Sequence, residues 1–275
     1  MKKKQIITRG IVIILLLLVA VIMILPFIWM VLGSLKLKSE LFAVPIKWLP
    51  ETPIWKNYTD VFEKVLFLQF YWNTAKVAVL STAGQVLTCA LSAYAFSKLE
   101  FKGRDVLFIL YLATMMIPGQ VTMIPQYELM NDIGLLNNHW TLILLNWFSP
   151  FGVFLLRQFF VSIPDSLVEA ARIDGANELR IFSNVICPLA KPAFATLVTL
   201  TFLNSWNDFQ GPLIFLSSKE KFTLQMGIRY FQQMFGTEYT LIMASTTMSL
   251  IPILIIYICC QKYFIEGIAA SGIKG

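Results

Sequence analysis

Six apolar runs, near residues 11–35, 72–97, 105–125, 139–160, 192–216 and 239–261, alternate with polar connectors marked by glycine and proline. A hydrocarbon core needs roughly 20 apolar residues per helical crossing, so the pattern predicts an all-α integral membrane protein with six transmembrane helices. One connector differs in texture from the others. Residues 164–191 read as two short helices joined at Gly175 and stopped at Pro188. A structured knuckle standing in water beside a membrane domain suits the holding of a partner.

The local grammar of that knuckle can be read residue by residue. Pro164 sets a turn, and Ser166-Leu-Val-Glu169 has the form of a capping box, in which the hydroxyl and the carboxylate satisfy each other's backbone amides. A helix through Glu169-Ala-Ala-Arg-Ile-Asp174 is expected to end at Gly175, the residue type that most readily turns left-handed. Asn177 is placed to cap a second helix, which Pro188 would terminate. Ala170 and Ala171 permit close approach, while Glu169, Arg172, Asp174 and Arg180 supply charge. The plainer alternative is an amphipathic hairpin lying on headgroups. Against it, Arg172, Arg180 and Lys191 are offset by Asp165, Glu169, Asp174 and Glu178.

Composition agrees with the pattern: 57% of the 275 residues are hydrophobic and 14% charged, with a mean hydropathy of +0.69. The start, Met1-Lys-Lys-Lys followed by Arg9, resembles a secretory signal, but the run from Ile11 past Pro26 and Trp29 exceeds the 7 to 15 residues of a signal core. An uncleaved first span is expected. With both termini cytoplasmic, 13 of the 22 basic residues fall inside and eight outside, and Lys76 lies within the second span. Residues 126–138 contain no Lys or Arg, which supports an outside connector there. The net charge of +6 thus reflects topology, and nucleic acid is not implied.

Catalytic chemistry finds no residues. Cys89, Cys187, Cys259 and Cys260 follow no metal or disulfide spacing, and His139 is the sole histidine. Neither a phosphate-binding loop nor a nucleophile set can be assembled, so no catalytic residue, metal site or cofactor is expected in this chain. A self-sufficient secondary transporter would carry membrane-embedded acids or histidines for ion coupling. Only Asp208 qualifies, near a span end.

Some positions within the spans are candidates for a solute path. Met116-Ile-Pro-Gly-Gln120 and Ile124-Pro-Gln-Tyr127 force irregular backbone, which must face protein or a water-filled cavity. Gln120 and Tyr127 therefore either line a path or mark a packing kink. Asn204, Trp206, Asn207 and Asp208 form a polar cluster at the end of the fifth run. They either line the path or cap a helix end with Gly211 and Pro212. Residues 36–70, with Pro45, Pro50, Pro53, Trp48, Trp55 and Tyr58, predict a small extracytoplasmic segment on the membrane face.

Glu169-Ala-Ala-x-x-Asp-Gly-Ala176, with Val185 and Pro188 beyond it, resembles the EAA loop of permease subunits in binding-protein-dependent ABC importers. Asn57-Tyr58, Asn73-Thr74, Ile117-Pro-Gly-Gln120, Trp206-Asn-Asp-Phe209, Gln261-Lys-Tyr-Phe-Ile-Glu-Gly267 and Gly272-Ile-Lys-Gly275 are similar to the carbohydrate-uptake branch, of the maltose-permease G type. Cys187 departs from the leucine usual before the proline. The resemblance covers nearly the whole chain. It implies a type I ABC importer permease fold in the bacterial plasma membrane, a single transmembrane domain over 1–275, and sugar import. Implied partners are a second, non-identical permease, a cytoplasmic ATPase dimer that binds ATP and Mg, and an extracytoplasmic sugar-binding protein. Glu169, Ala170, Ala171, Arg172, Asp174, Gly175, Ala176 and Pro188 would then form the ATPase-coupling loop.

Overall fold

A computed structural model describes residues 2–233 and 238–272, and every regular element among them is helical. The helices are α1 (Lys2–Ser34), α2 (Lys38–Leu41), α3 (Lys56–Lys64), α4 (Phe67–Lys98), α5 (Arg104–Ala113), α6 (Gly119–Asp132), α7 (His139–Leu145) and α8 (Pro150–Val161). They continue as α9 (Asp165–Ile173), α10 (Glu178–Ile181), α11 (Cys187–Leu189), α12 (Lys191–Trp206), α13 (Gln210–Phe215), α14 (Leu224–Gln233) and α15 (Tyr239–Gly272).

Among the described residues three stretches, Arg9–Ser34, Phe67–Lys98 and Tyr239–Tyr263, are single helices long and apolar enough to cross a membrane. Three more candidates are bent pairs. Arg104–Met116 and Gly119–Asp132 meet at 99°, His139–Leu145 and Pro150–Val161 at 41°, and Glu178–Leu189 and Lys191–Trp206 at 82°. Counting each pair as one crossing gives up to six, the Glu178–Leu189 arm of the last pair lying within the 164–191 connector. The sharpest bend falls at Ile117-Pro118, where Pro118 withholds an amide and the chain restarts as α6. The fifth apolar run, expected as one span over 192–216, is divided, because α12 stops at Trp206 and α13 begins at Gln210.

The chain forms two compact units, one of residues 1–67 with 227–251 and one of 68–226 with 252–275. In the first, α1 buries none of its apolar window within the chain, so bilayer or another subunit must cover it. The end of α1 is tied down by polar side chains. Asn57 donates to the carbonyls of Ser34 and Lys36 at 2.8 and 2.9 Å, and the Ser34 and Tyr58 hydroxyls lie 2.7 Å apart. These bonds satisfy carbonyls that a helix terminus leaves orphaned. They give the Asn57-Tyr58 motif a physical reason. Lys36, fully buried, rests 4.3 Å from the Trp29 ring centroid and donates to the Lys47 carbonyl. Trp48 meets Trp29 edge-on at 5.4 Å.

The second unit is built around α4. Gly84 admits Trp147, whose indole occupies the place where a Cβ would stand and whose Nε1 donates to the Leu80 carbonyl at 3.2 Å. Any larger residue at 84 would displace that ring. Cys89, Ala90, Ala93, Phe108, Val153, Leu156, Phe160 and Leu197 form a buried core that joins α4, α5, α8 and α12. At the other end of α4, Asn73 donates to the Glu220 and Phe222 carbonyls at 2.8 and 3.0 Å. The Thr74 hydroxyl accepts the Leu224 amide at 2.7 Å. The Asn73-Thr74 motif thus holds the approach to α14 through backbone groups.

Candidate functional site

The knuckle is seated on the core of the second unit by apolar residues. Val168, Ile181 and Ile186 are buried in it, and Ala171 and Ala176 pack against it at half burial. α9 runs over Asp165–Ile173, with Asp174 closing its last turn. Gly175 then takes φ +78°, its amide donates to Arg172 at 3.0 Å, and the Ala176 amide donates to Ala171 at 3.0 Å. This left-handed ending is the one expected of that glycine. A Cβ at 175 would touch nothing within 4 Å, so backbone conformation alone restricts the position. Asn177 caps α10 by accepting the Arg180 amide at 2.9 Å, as predicted.

Two local expectations are corrected. No capping box forms at Ser166, because the cap falls two residues earlier and α9 begins at Asp165. Pro164 is its cap residue, the Leu167 amide is taken by the Pro164 carbonyl, and Asp165 is engaged by Lys98. Pro188 does not end the second helix either. The helix passes through a π turn at Phe182–Ile186, where the Cys187 amide reaches the Phe182 carbonyl, and stops after Leu189. The widened turn accommodates a proline that lacks the amide of an ordinary α-helical bond. The chain bends at Ala190 and re-enters as α12.

The knuckle is also bound to α4 by charge. Lys98, its side chain 2% exposed, donates to the Ile163 carbonyl at 2.7 Å and to Asp165 at 2.6 Å. One turn back on α4, the Tyr94 hydroxyl donates to Glu178 at 2.5 Å, and the other oxygen of that carboxylate accepts Arg172 Nε at 2.9 Å. The Tyr94 hydroxyl first, then Arg172, hold the Glu178 carboxyl below its ordinary 4.5, and Glu178 raises Arg172 in return. Lys98, Tyr94 and Glu178 carried no motif in the sequence. Their signal was an ordinary basic end to a helix, which singles out nothing.

The remaining predicted positions are dispersed. Glu169, Ala170, Arg172 and Asp174 are exposed on α9 and its end, and Pro188 is exposed at its own turn. Trp206 is buried, stacked on Phe202 at 5.5 Å and met edge-on by Tyr71 at 5.3 Å. Asp208 accepts the Gly211 amide at 3.0 Å and so caps the start of α13. Asn207 donates to the Leu203 carbonyl at 2.9 Å and accepts from Gln225 at 3.3 Å. Tyr127 stacks on Phe215 at 6.2 Å. Gln120 and Asn204 are exposed. Among the described residues no group of three or more His, Cys, Asp or Glu side chains is placed to hold a metal ion.

The chain is similar to known proteins. The family described as binding-protein-dependent transport system inner membrane component matches residues 85–269. Among curated relatives, the arabinooligosaccharides transport system permease protein AraQ of Bacillus subtilis is 35% identical over 91% of this chain and 90% of its own. The galactooligosaccharides transport system permease protein GanQ of the same organism is 34% identical over 95% and 94%. A chain of a bacterial ABC transporter that imports the acidic polysaccharide alginate superposes with a TM-score of 0.83 at 30% identity, covering 94% of this chain and 96% of that one. The match spans α9 and the core on which it sits, and the chain belongs to the family of binding-protein-dependent transport system inner membrane components.

Proposed function

We propose that α9 is the coupling helix of an ATP-driven importer. In this reading the chain forms half of the pathway for an oligosaccharide or related glycoside. The observation that carries the docking role is a contrast in exposure across the knuckle. Ile173 is 85% exposed and Leu179 71%, while Val168 and Ile181 beneath them are sealed. Burying such a side chain against a partner is worth roughly 1.5–3 kcal/mol. Glu169, Asp174 and Arg180, also exposed and near them in the chain, would provide a polar rim.

The chain is a permease subunit and not itself an enzyme. ATP and Mg belong to a separate cytoplasmic ATPase dimer, in whose grooves this α9 and that of a second, non-identical permease would sit. When the ATPases close on ATP, the seated helices move together and the spans change access as rigid bodies. A binding protein outside the membrane would deliver the solute. The names of AraQ and GanQ support a sugar, and Gln120, Tyr127, Asn204, Trp206, Asn207 and Asp208 are the candidate path residues. A secondary transporter finds less support, since the carboxylate of Asp208 is engaged by the Gly211 amide.

Gly175→Pro tests the reading. It imposes a negative φ and removes the amide bonded to Arg172. Together with Glu169→Lys, it is expected to leave the chain inserted while the ATPase no longer co-purifies and uptake of arabino- and galactooligosaccharides is lost. Normal ATPase retention and normal uptake in both variants would refute the docking role.

A further inference from the structure

We propose that Lys98 and Tyr94 are positioning residues that lash α9 to α4 on both sides of its apolar seat, so that any displacement of α9 is carried into α4. The inference rests on reading α9 as the coupling helix and adds how its motion enters the membrane domain.

Burial makes the first tie costly to leave unmade. An ammonium with a side chain only 2% exposed must have its hydrogens satisfied. Lys98 meets this with the Ile163 carbonyl, just before Pro164, and with the carboxylate of Asp165 at the first position of α9. Ile163 lies two residues beyond the end of α8, just after its cap residue Ser162. One buried cation therefore fixes the end of α4, the exit from α8 and the entry to α9. Asp165 itself is 78% exposed. Loss of Lys98 would return that carboxylate to water, freeing the helix start without unfolding it.

The second tie is at the far end of the same helix. Arg172, in the last turn of α9, grips Glu178, and Glu178 takes the Tyr94 hydroxyl. The bridge passes across the Gly175 turn, so α9 and α10 are held as a pair. Tyr94 and Lys98 are four residues apart and share one face of α4. Val168 and Ile181 belong to the same buried apolar cluster as Ala90, Ala93 and Tyr94 of α4.

An apolar seat by itself resists separation but permits sliding, because dispersion contacts are non-directional. Two directional, charge-assisted bonds at opposite ends of a nine-residue helix remove that freedom. α4 is in turn a single 32-residue helix, about 48 Å long at 1.5 Å per residue. Its opposite end holds the Glu220, Phe222 and Leu224 backbone through Asn73 and Thr74. A lashed α9 therefore moves a continuous rod.

Spin labels at Ser166→Cys on α9 and Leu68→Cys on α4, both exposed positions, read the tie directly. The four native cysteines are replaced by serine, and the chain is assembled with its second permease and ATPases. With Lys98 and Tyr94 present, one narrow distance distribution is expected, the same with and without Mg-ATP and vanadate. With Lys98→Met and Tyr94→Phe combined, the distribution should broaden without nucleotide and shift when Mg-ATP and vanadate are added. Lys98→Arg, which keeps the charge, should retain the narrow form. An unchanged distribution in the double variant overturns the proposal. The nucleotide-free width decides this even if Gly175→Pro retains the ATPase, an outcome that would count against the coupling reading instead.

Discussion

Two of the polar regions that interrupt this apolar chain use their polar groups in opposite ways. At the break between α12 and α13, Asp208 caps the next helix through Gly211 and Asn207 donates to the preceding turn. Those bonds are local, and the one longer contact, Gln225 donating to Asn207, reaches only 18 residues along the chain. In the knuckle, Asp165 and Glu178 bond to Lys98 and Tyr94, 67 and 84 residues away in the chain. Long-range bonds fix the knuckle from beneath, leaving Ile173 and Leu179 outward. A region whose polar groups anchor it to the core can hold apolar residues toward a partner, and a region that spends them on its own turns is arranged to shape a chain reversal.

Breaking the outward face should have the largest effect. Ile173→Asp with Leu179→Asp is expected to change thermal stability by about 0.5 kcal/mol or less, since both side chains are surface residues. Retention of the ATPase in co-purification should nonetheless fall about tenfold or more, a loss of at least about 1.4 kcal/mol in binding. Retention at the unsubstituted level would remove the distinction between the two regions.

The capped break should respond more modestly. Asp208→Ala removes the acceptor for the Gly211 amide and should cost about 1 kcal/mol in thermal unfolding of the detergent-solubilised chain. Asp208→Asn retains an acceptor oxygen, so stability should stay close to the original. Uptake by this second variant separates the two roles of the residue. A change in solute affinity with stability intact supports a place on the path, whereas unchanged kinetics leave it a cap.

The smallest effect is a pH dependence confined to the knuckle. Glu178 is held below its ordinary 4.5, so the stabilisation from Tyr94 and Arg172 is fully present above that value and is lost as pH falls through the lower folded value. Hydrogen exchange over residues 165–181 should accelerate as pH drops below about 4.5, after correction for intrinsic exchange. Glu178→Gln should flatten that dependence. The carboxylate is largely solvent-accessible, so the shift in exchange should be slight. An identical corrected pH profile in Glu178→Gln would sever Glu178 from the anchoring.

Much of this protein was legible in the amino-acid order because membrane crossing and chain reversal are decided locally. About 20 apolar residues in a row have one solution in hydrocarbon, and Gly175, Asn177 and Ile117-Pro118 mark a left-handed turn, a cap and a bend by their own backbone chemistry. The EAA resemblance reached the family through the same short-range signals. The start of α9 and the passage of a helix through Pro188 differ from what residue type predicts for a related reason, since neighbouring carbonyls and a π turn supply alternatives that residue type alone does not reveal.

Tertiary structure decided which charges anchor and which face outward. Lys98 counts in the sequence as one more basic residue at the end of a helix, and Glu178 as one more acid in a loop. Only folding brings them against Asp165 and Tyr94, where burial makes a hydrogen bond obligatory and therefore directional. The order of residues determined six apolar runs and a knuckle between them. How that knuckle is fastened depended on side chains distant in sequence, because a bond of that range has no local pattern to announce it.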